Sequence, residues 1–459
     1  MPDTLVSVRN LHQMIEAYGR DIGPRIWPGF RPDTIPTLYV VANQGKVMMQ
    51  WRHEPISGFV AVPGDSETSW SEQAMASFPS GNYISFMNVD STMTRPYVLG
   101  TDIHEAFHSF EHSAVTEKSL FGQGENAMLI STYPVFDERN EALFSLEGES
   151  LGRALRASTL ADAKQSAREF LALREKRRAG LSPDFAEFEA MAEMNEGLAQ
   201  YALIRGMAEL AGADSAWTSG ARYLADAESS ILDNLMGIEQ RSVRRRFYAT
   251  GSAMGLLLDR LVGDAWKQRL MNEKTTIEKV LAASVGFQGS AELGRAWNAS
   301  VARRVSGRLP QARASIALLR ARRRNQADSI LANRGLSVVL DPALLASHHF
   351  GWCGFDPQNL LQTGDGRTIH MRFLNVCGGS VKTAQLNQAA VEDSVTGTIS
   401  TVIAAEDKLV IEAGGETLAL PDGFLREVTE LRVQSSGFTM EAGSARLLVQ
   451  NGSLHILVH

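Results

Sequence analysis

After Arg334-Gly335 the sequence changes character, and this break constrains the fold more than any other feature. Before it, from about residue 101, apolar side chains recur at helical spacing over long segments. After it, Val, Thr and Leu gather in short runs at residues 368–374, 395–404, 408–413, 428–433 and 446–449. Gly364-Asp365-Gly366, Gly414-Gly415 and Asn451-Gly452 sit beside such runs as turn signals. A separate antiparallel sandwich or barrel is expected over residues 336–459.

The helical part is predicted to run through residues 137–155, 161–179, 183–210, 221–238, 241–262 and 276–285. Two basic helices should follow between 290 and 332, split by Pro310. Residues 4–19 carry Leu5, Val8, Leu11, Ile15 and Tyr18 at helical spacing. Strands are predicted at 37–42 and 46–51, flanking Asn43-Gln44-Gly45, and again at 58–62 and 82–89. The fold class is therefore multidomain α+β. Residues 1–100 form a helix and a small sheet, 101–335 a mostly helical part, and 336–459 an all-β domain.

A chain of 459 residues exceeds what one simple core organises, which fits this division. A formal net charge of -7 gives a polyanion little to bind, so no nucleic-acid partner is expected. No run approaches the roughly eighteen apolar residues of a membrane span. Acidic and basic residues are mixed through residues 1–19, where a signal peptide would place an apolar core. The cytoplasm is the default compartment, with the periplasm or secretion the alternative if a leader was removed. Cys353 and Cys377 are the only cysteines, which excludes a disulfide scaffold and a cysteine-rich metal site. The two could pair with each other in an exported protein.

Residues 101–112 read TDIHEAFHSFEH and contain His104-Glu105-Ala106-Phe107-His108, the HExxH pattern of zinc hydrolases. Histidines four apart on a helix project about 40° from each other. Both imidazoles can then reach one metal ion. Glu105, about 100° from His104, is placed to hold a water beside the ion rather than the ion itself. A local alternative exists. Asp102 as an N-cap with Glu105 three residues on would make a capping box, and the histidines would merely flank the apolar stripe of Ile103, Phe107 and Phe110.

A catalytic zinc keeps three protein ligands and one open position, and three side chains compete to be the third. His112 drifts another 40° around the helix and reads as a solvated or supporting side chain. Glu147, in SLEGESLGRAL, lies on a fairly apolar helix, where it either lines the site or forms an ordinary salt bridge. Glu196 stands in MNEGLAQYAL.

His104-Glu105-x-x-His108 followed by Asn195-Glu196-Gly197-Leu198-Ala199-Gln200-Tyr201 resembles the gluzincin metallopeptidases, as a divergent member with a thermolysin- or aminopeptidase-like core. The resemblance implies a zincin-like catalytic domain and a Zn2+ cofactor held by His104, His108 and Glu196. Glu105 would be the general base, and Gly197 and Ala199 would let the ligand helices approach closely. Phe247-Tyr248-Ala249-Thr250-Gly251 resembles the YxxG element of the aminopeptidase and leukotriene-hydrolase branch, whose Tyr stabilises the tetrahedral intermediate. Tyr248 follows Glu196 by 248 - 196 = 52 residues, in the same order as in that branch.

The chain also departs from the family pattern. From His108 to Glu196 is 196 - 108 = 88 residues, so helices must be inserted between the ligand helices. The GxMEN strand of aminopeptidases has no counterpart, since Ser85-Phe86-Met87-Asn88 lacks a suitable acid. Gln200 stands where thermolysin-type enzymes place an Asp that orients a histidine.

The expected activity is that of a zinc-dependent metallopeptidase acting on a peptide or protein substrate aligned along strand 82–89. The alternatives are a zinc-binding but catalytically silent scaffold protein, or a zinc hydrolase of a non-peptide substrate. Arg241, Arg244, Arg245 and Arg246 could hold a substrate carboxylate or simply form a basic helix end. His348, His349, Cys353 and Cys377 would be a second zinc set, though their spacing fits no usual pattern.

Overall fold

The computed structural model describes residues 19–35, 37–41, 46–51, 58–63, 75–77, 83–89, 93–213, 218–234 and 243–459. Residues 4–18 of the first expected helix, the Asn43-Gln44-Gly45 turn and Arg241 lie outside that set. The described chain is α+β, with a large helical part followed by an all-β one, and it packs as two units. One comprises Met1–Ala127, Asp137–Glu239 and Arg244–Ala312. The other comprises Met128–Phe136, Gln240–Val243 and Arg313–His459.

The first unit opens with strands β1 (Thr37–Val41), β2 (Lys46–Trp51), β3 (Gly58–Pro63), β4 (Met75–Ser77) and β5 (Tyr83–Val89), in sheet order β3-β2-β1-β5-β4. Strand β5 runs parallel to β1, from Thr37 against Ser85 to Val41 against Val89. On its other side β4 covers Tyr83 to Ser85. The strand expected to align a peptide is thus paired on both sides at Ser85. Among the described residues, Phe86–Val89 has no partner on the side opposite β1, and Tyr83 and Ile84 have none on the β1 side.

Helices follow as α1 (Arg95–Ser113), α2 (Glu138–Arg156), α3 (Leu160–Arg178), α4 (Pro183–Ala192), α5 (Leu198–Ala213), α6 (Thr218–Asn234), α7 (Arg245–Val262), α8 (Ala265–Asn272), α9 (Ile277–Val285) and α10 (Gly294–Leu331). Their ends follow local chemistry. Asp137 accepts from the Asn140 amide at 2.6 Å and Thr159 from the Asp162 amide at 3.1 Å as N-caps, while Gly286 closes α9 in the left-handed region. Pro310 does not split α10, contrary to the sequence expectation. Val301 and Val305 before it and Ala312 after it share one buried cluster with Leu143, Leu146 and Leu173, and this burial offsets the missing backbone hydrogen bond.

The segment expected as one helix over 183–210 is interrupted by a π-helical turn at Glu193–Gly197, where α4 gives way to α5. Beside it lies a buried layer of paired charge. Arg174 forks onto both oxygens of Glu193 at 2.7 and 2.9 Å, Arg177 meets Glu147 at 2.5 Å and Glu189 at 2.6 Å, and Arg178 meets Glu278 at 2.6 Å. Most of these side chains are fully buried, so each depends on its partner.

The second unit is a branched, mainly antiparallel sheet of thirteen strands. Strand β17 (Phe438–Gln450) is its axis. Its first half pairs with β11 (Val381–Leu386), its second half with β18 (Ser453–Val458), and its far side with β16 (Leu425–Gln434). Alternating residues such as Met440, Ala442, Leu447 and Val449 point into the core. The strip Met128–Phe136 joins this unit through Gln362, whose amide donates to the carbonyls of Ile130 at 2.6 Å and Tyr133 at 3.1 Å. A disulfide links Cys353 on β7 (Gly351–Phe355) to Cys377 on β10 (Leu374–Gly378), with Cα atoms 6.0 Å apart. Neither sulfur is then available as a thiolate, which removes the second zinc set that included them.

Candidate metal centre

Helix α1 begins well before the HExxH stretch. Thr94 accepts the Tyr97 amide as N-cap and Pro96 occupies the first turn, where its missing N–H costs nothing. Asp102 is accordingly not a cap. It is buried in the second turn and accepts from the Thr37 hydroxyl on β1 at 3.3 Å. The capping-box explanation of Glu105 fails on this geometry. Val98, Leu99, Ile103, Ala106 and Phe107 bury the inner face of α1, with Phe107 set edge-on to Trp27 and Phe30 at 5.3 and 5.2 Å.

His104 and His108 project from mid-helix, and Glu196 meets them from the π-turn. The His104 and His108 Nε2 atoms are 3.2 Å apart, and Glu196 Oε2 lies 3.3 Å from the first and 3.4 Å from the second. These three atoms form a nearly equilateral triangle and make up a group able to hold a metal ion. A tetrahedral ion with bonds of about 2.0–2.1 Å separates its ligands by about 3.3–3.4 Å. The triangle therefore fits such an ion without rearrangement.

The π-turn explains how Glu196 gets there. Three residues at the α-helical pitch are about 60° apart around the axis, so Glu193 and Glu196 would face nearly one way. The wider turn separates them. Glu193 enters the arginine layer, accepting also from the Thr250 hydroxyl on α7 at 2.5 Å, while Glu196 enters the histidine pair. Gly197 does not bring the two ligand helices together, as the sequence suggested. It packs on Gly251 of α7, and a Cβ on either glycine would lie 2.6 Å from the other's Cα. This crossing places Tyr248 and Arg244 against Glu196.

The site is nearly sealed: His104 is 6%, Glu105 8%, His108 5%, Glu196 4% and Tyr248 6% exposed. Burial pushes the His104 imidazolium down to about 4 and the Glu105 carboxyl up to about 8. Burial opposes the His108 cation as well, but Glu196 and Glu111 raise it well above the usual range. The two Nε2 atoms are close enough to share a single proton, one donating and the other accepting according to the tautomer. Burial would also raise Glu196, but Arg244 and then His108 hold it well below the carboxylate range. Glu105 Oε2 is buried and has no hydrogen-bond partner among the described residues.

Three supporting residues escaped the sequence. Glu111 Oε2 lies 3.3 Å from His108 Nδ1, the carboxylate-on-histidine contact that fixes a ligand's tautomer. Its i,i+3 spacing from His108 was the available signal. Arg244, read from sequence as a holder of a substrate carboxylate or part of a basic helix end, pairs with Glu196 Oε1 at 2.6 Å and with Glu125 at 2.5 Å. Glu125 comes from an irregular segment after α1, and no sequence pattern marked it.

The remaining candidates go elsewhere. His112 turns back, its Nδ1 3.0 Å from the His108 carbonyl, and Glu147 is locked between Arg174 and Arg177. Arg246 forks onto Glu141 at 2.8 and 2.6 Å. The Tyr248 ring stacks on His104 at 5.7 Å, and its hydroxyl accepts from Arg244 Nη1 at 3.3 Å and donates to Glu196. Comparison with family models, curated proteins and solved structures returns no significant match.

Proposed function

We propose that this chain is a zinc-dependent metallohydrolase of gluzincin type that cleaves peptide bonds. The observation that carries the proposal is the triangle of His104, His108 and Glu196 ligand atoms, with the unpartnered Glu105 oxygen buried next to His104 on the same helix. A zinc ion there would supply Lewis acidity at the scissile carbonyl and ease deprotonation of a water beside it.

Glu105 then acts as the proton carrier. Its free oxygen takes the proton of the attacking water and delivers it to the leaving amine. Glu111 keeps His108 in the tautomer whose Nε2 lone pair faces inward. Tyr248 turns its hydroxyl proton from Glu196 to the carbonyl oxygen and stabilises the charge that develops there. Phe86–Val89 of β5, unpaired opposite β1 among the described residues, offers backbone groups on which an extended peptide can lie antiparallel.

The test is Glu105→Gln. It should retain zinc and lose hydrolysis across a broad peptide library. Hydrolysis at the wild-type rate sinks the mechanism.

The near-complete burial of the site favours one second reading, a protein that binds zinc but does not turn substrate over. Zinc retained by the wild type with no cleavage of peptides, or of ester and amide surrogates, would select it.

A further inference from the structure

Glu196 gives its two oxygens to different partners. Oε2 faces the two imidazoles, while Oε1 receives Arg244 Nη2 at 2.6 Å. The guanidinium is itself held. Its Nε and Nη2 both reach Glu125 Oε1 at 2.5 Å, and Glu125 Oε2 accepts from Asn195 Nδ2 at 2.7 Å. Asn195 precedes Glu196 in the π-turn, so the chain Asn195, Glu125, Arg244, Glu196 closes on itself. The Glu125 side chain is buried, as is most of Arg244, where such charge-assisted bonds are strong and their loss is costly.

We infer that Arg244 is a positioning residue that makes Glu196 a one-oxygen ligand. A carboxylate beside a dication can chelate it through both oxygens. With Oε1 occupied by a guanidinium fixed from behind, only Oε2 remains, and a coordination position stays open for water or substrate. The inference rests on the proposed metal site and concerns how that site is kept unsaturated.

Cobalt(II) alone, titrated into the metal-free protein, is the probe. Its visible absorption is strong when four-coordinate and much weaker when five-coordinate. Wild type should show the strong form. Arg244→Met should weaken that absorption and lower metal affinity about 10–100-fold in chelator competition. Arg244→Lys, which keeps the charge without the fork, should fall between the two. Arg244→Met with Glu125→Gln removes the stranded carboxylate and provides a folded comparison if the single variant is unstable. A wild-type spectrum in the folded Arg244→Met or double variant overturns the inference while leaving the metal site standing. Failure of wild type to bind cobalt at all overturns the metal site, and this inference with it. A merely structural role for Arg244 would change stability without changing the cobalt spectrum.

Discussion

Gly197 and Gly251 cross with no space for a side chain on either, a Cβ on one falling 2.6 Å from the Cα of the other. Everything around Glu196 depends on that approach, because α7 brings Tyr248 and Arg244 with it. Alanine is the better residue in a helix interior by about 1 kcal/mol, so propensity alone predicts that Gly251→Ala stabilises. The crossing predicts the opposite sign, a loss of about 1–3 kcal/mol from overpacking, read from urea unfolding. A raised midpoint would show that the two helices are further apart.

The ligand set makes a sharper claim. His108→Ala and Glu196→Ala should each lose the bound metal, measured by elemental analysis after dialysis against a weak chelator. Glu147→Ala, the rival third ligand, should keep it. Metal retained in Glu196→Ala but lost in Glu147→Ala would reverse the assignment.

Glu147 has its own consequence for stability. It sits between Arg174 at 3.3 Å and Arg177 at 2.5 Å, with no solvent to replace it. Glu147→Leu leaves buried guanidinium charge short of a partner, and a cost of about 3–5 kcal/mol is expected. Arg177→Met added to it should recover part of that loss. Additive losses in the double variant would show that the two side chains do not interact.

The β unit carries a pH-sensitive contact. Hydrogen bonding from Arg367, then from Thr363, lowers the Asp365 carboxyl to about 2. A carboxyl depressed below its unfolded value of about 3.9 stabilises the fold above that pH and loses its contribution as pH falls toward 2. Asp365 is largely solvent-exposed, so the effect should stay below about 1 kcal/mol. The stability gap between wild type and Asp365→Asn should shrink between pH 6 and pH 2.5. A gap that is constant with pH would assign the contact no electrostatic role.

Much of this was legible because it is local. The change at Arg334-Gly335 marks the onset of β6 (Gly335–Asp341), and the caps at Asp137, Thr159 and Thr276 are written in adjacent residues. The histidine pair is legible for the same reason, since four residues of helix fix its geometry. Glu196 needed a motif, because nothing within one turn of it says what it faces. Glu125 and Arg244 needed the tertiary structure. Their pairing spans 119 residues, and each reads alone as an ordinary surface charge. Pro310 misled because a proline's local cost is visible in sequence, whereas the burial that offsets it is not.

The wide turn at Glu193–Gly197 amounts to one residue more than a regular helix would use over that span. Excising the residue Asn195 would restore the regular pitch and leave the Glu193 and Glu196 carboxylates only two positions apart, about 200° around the axis. One surplus residue thus sets the angle between the acid that serves the arginine layer and the acid that serves the histidine pair.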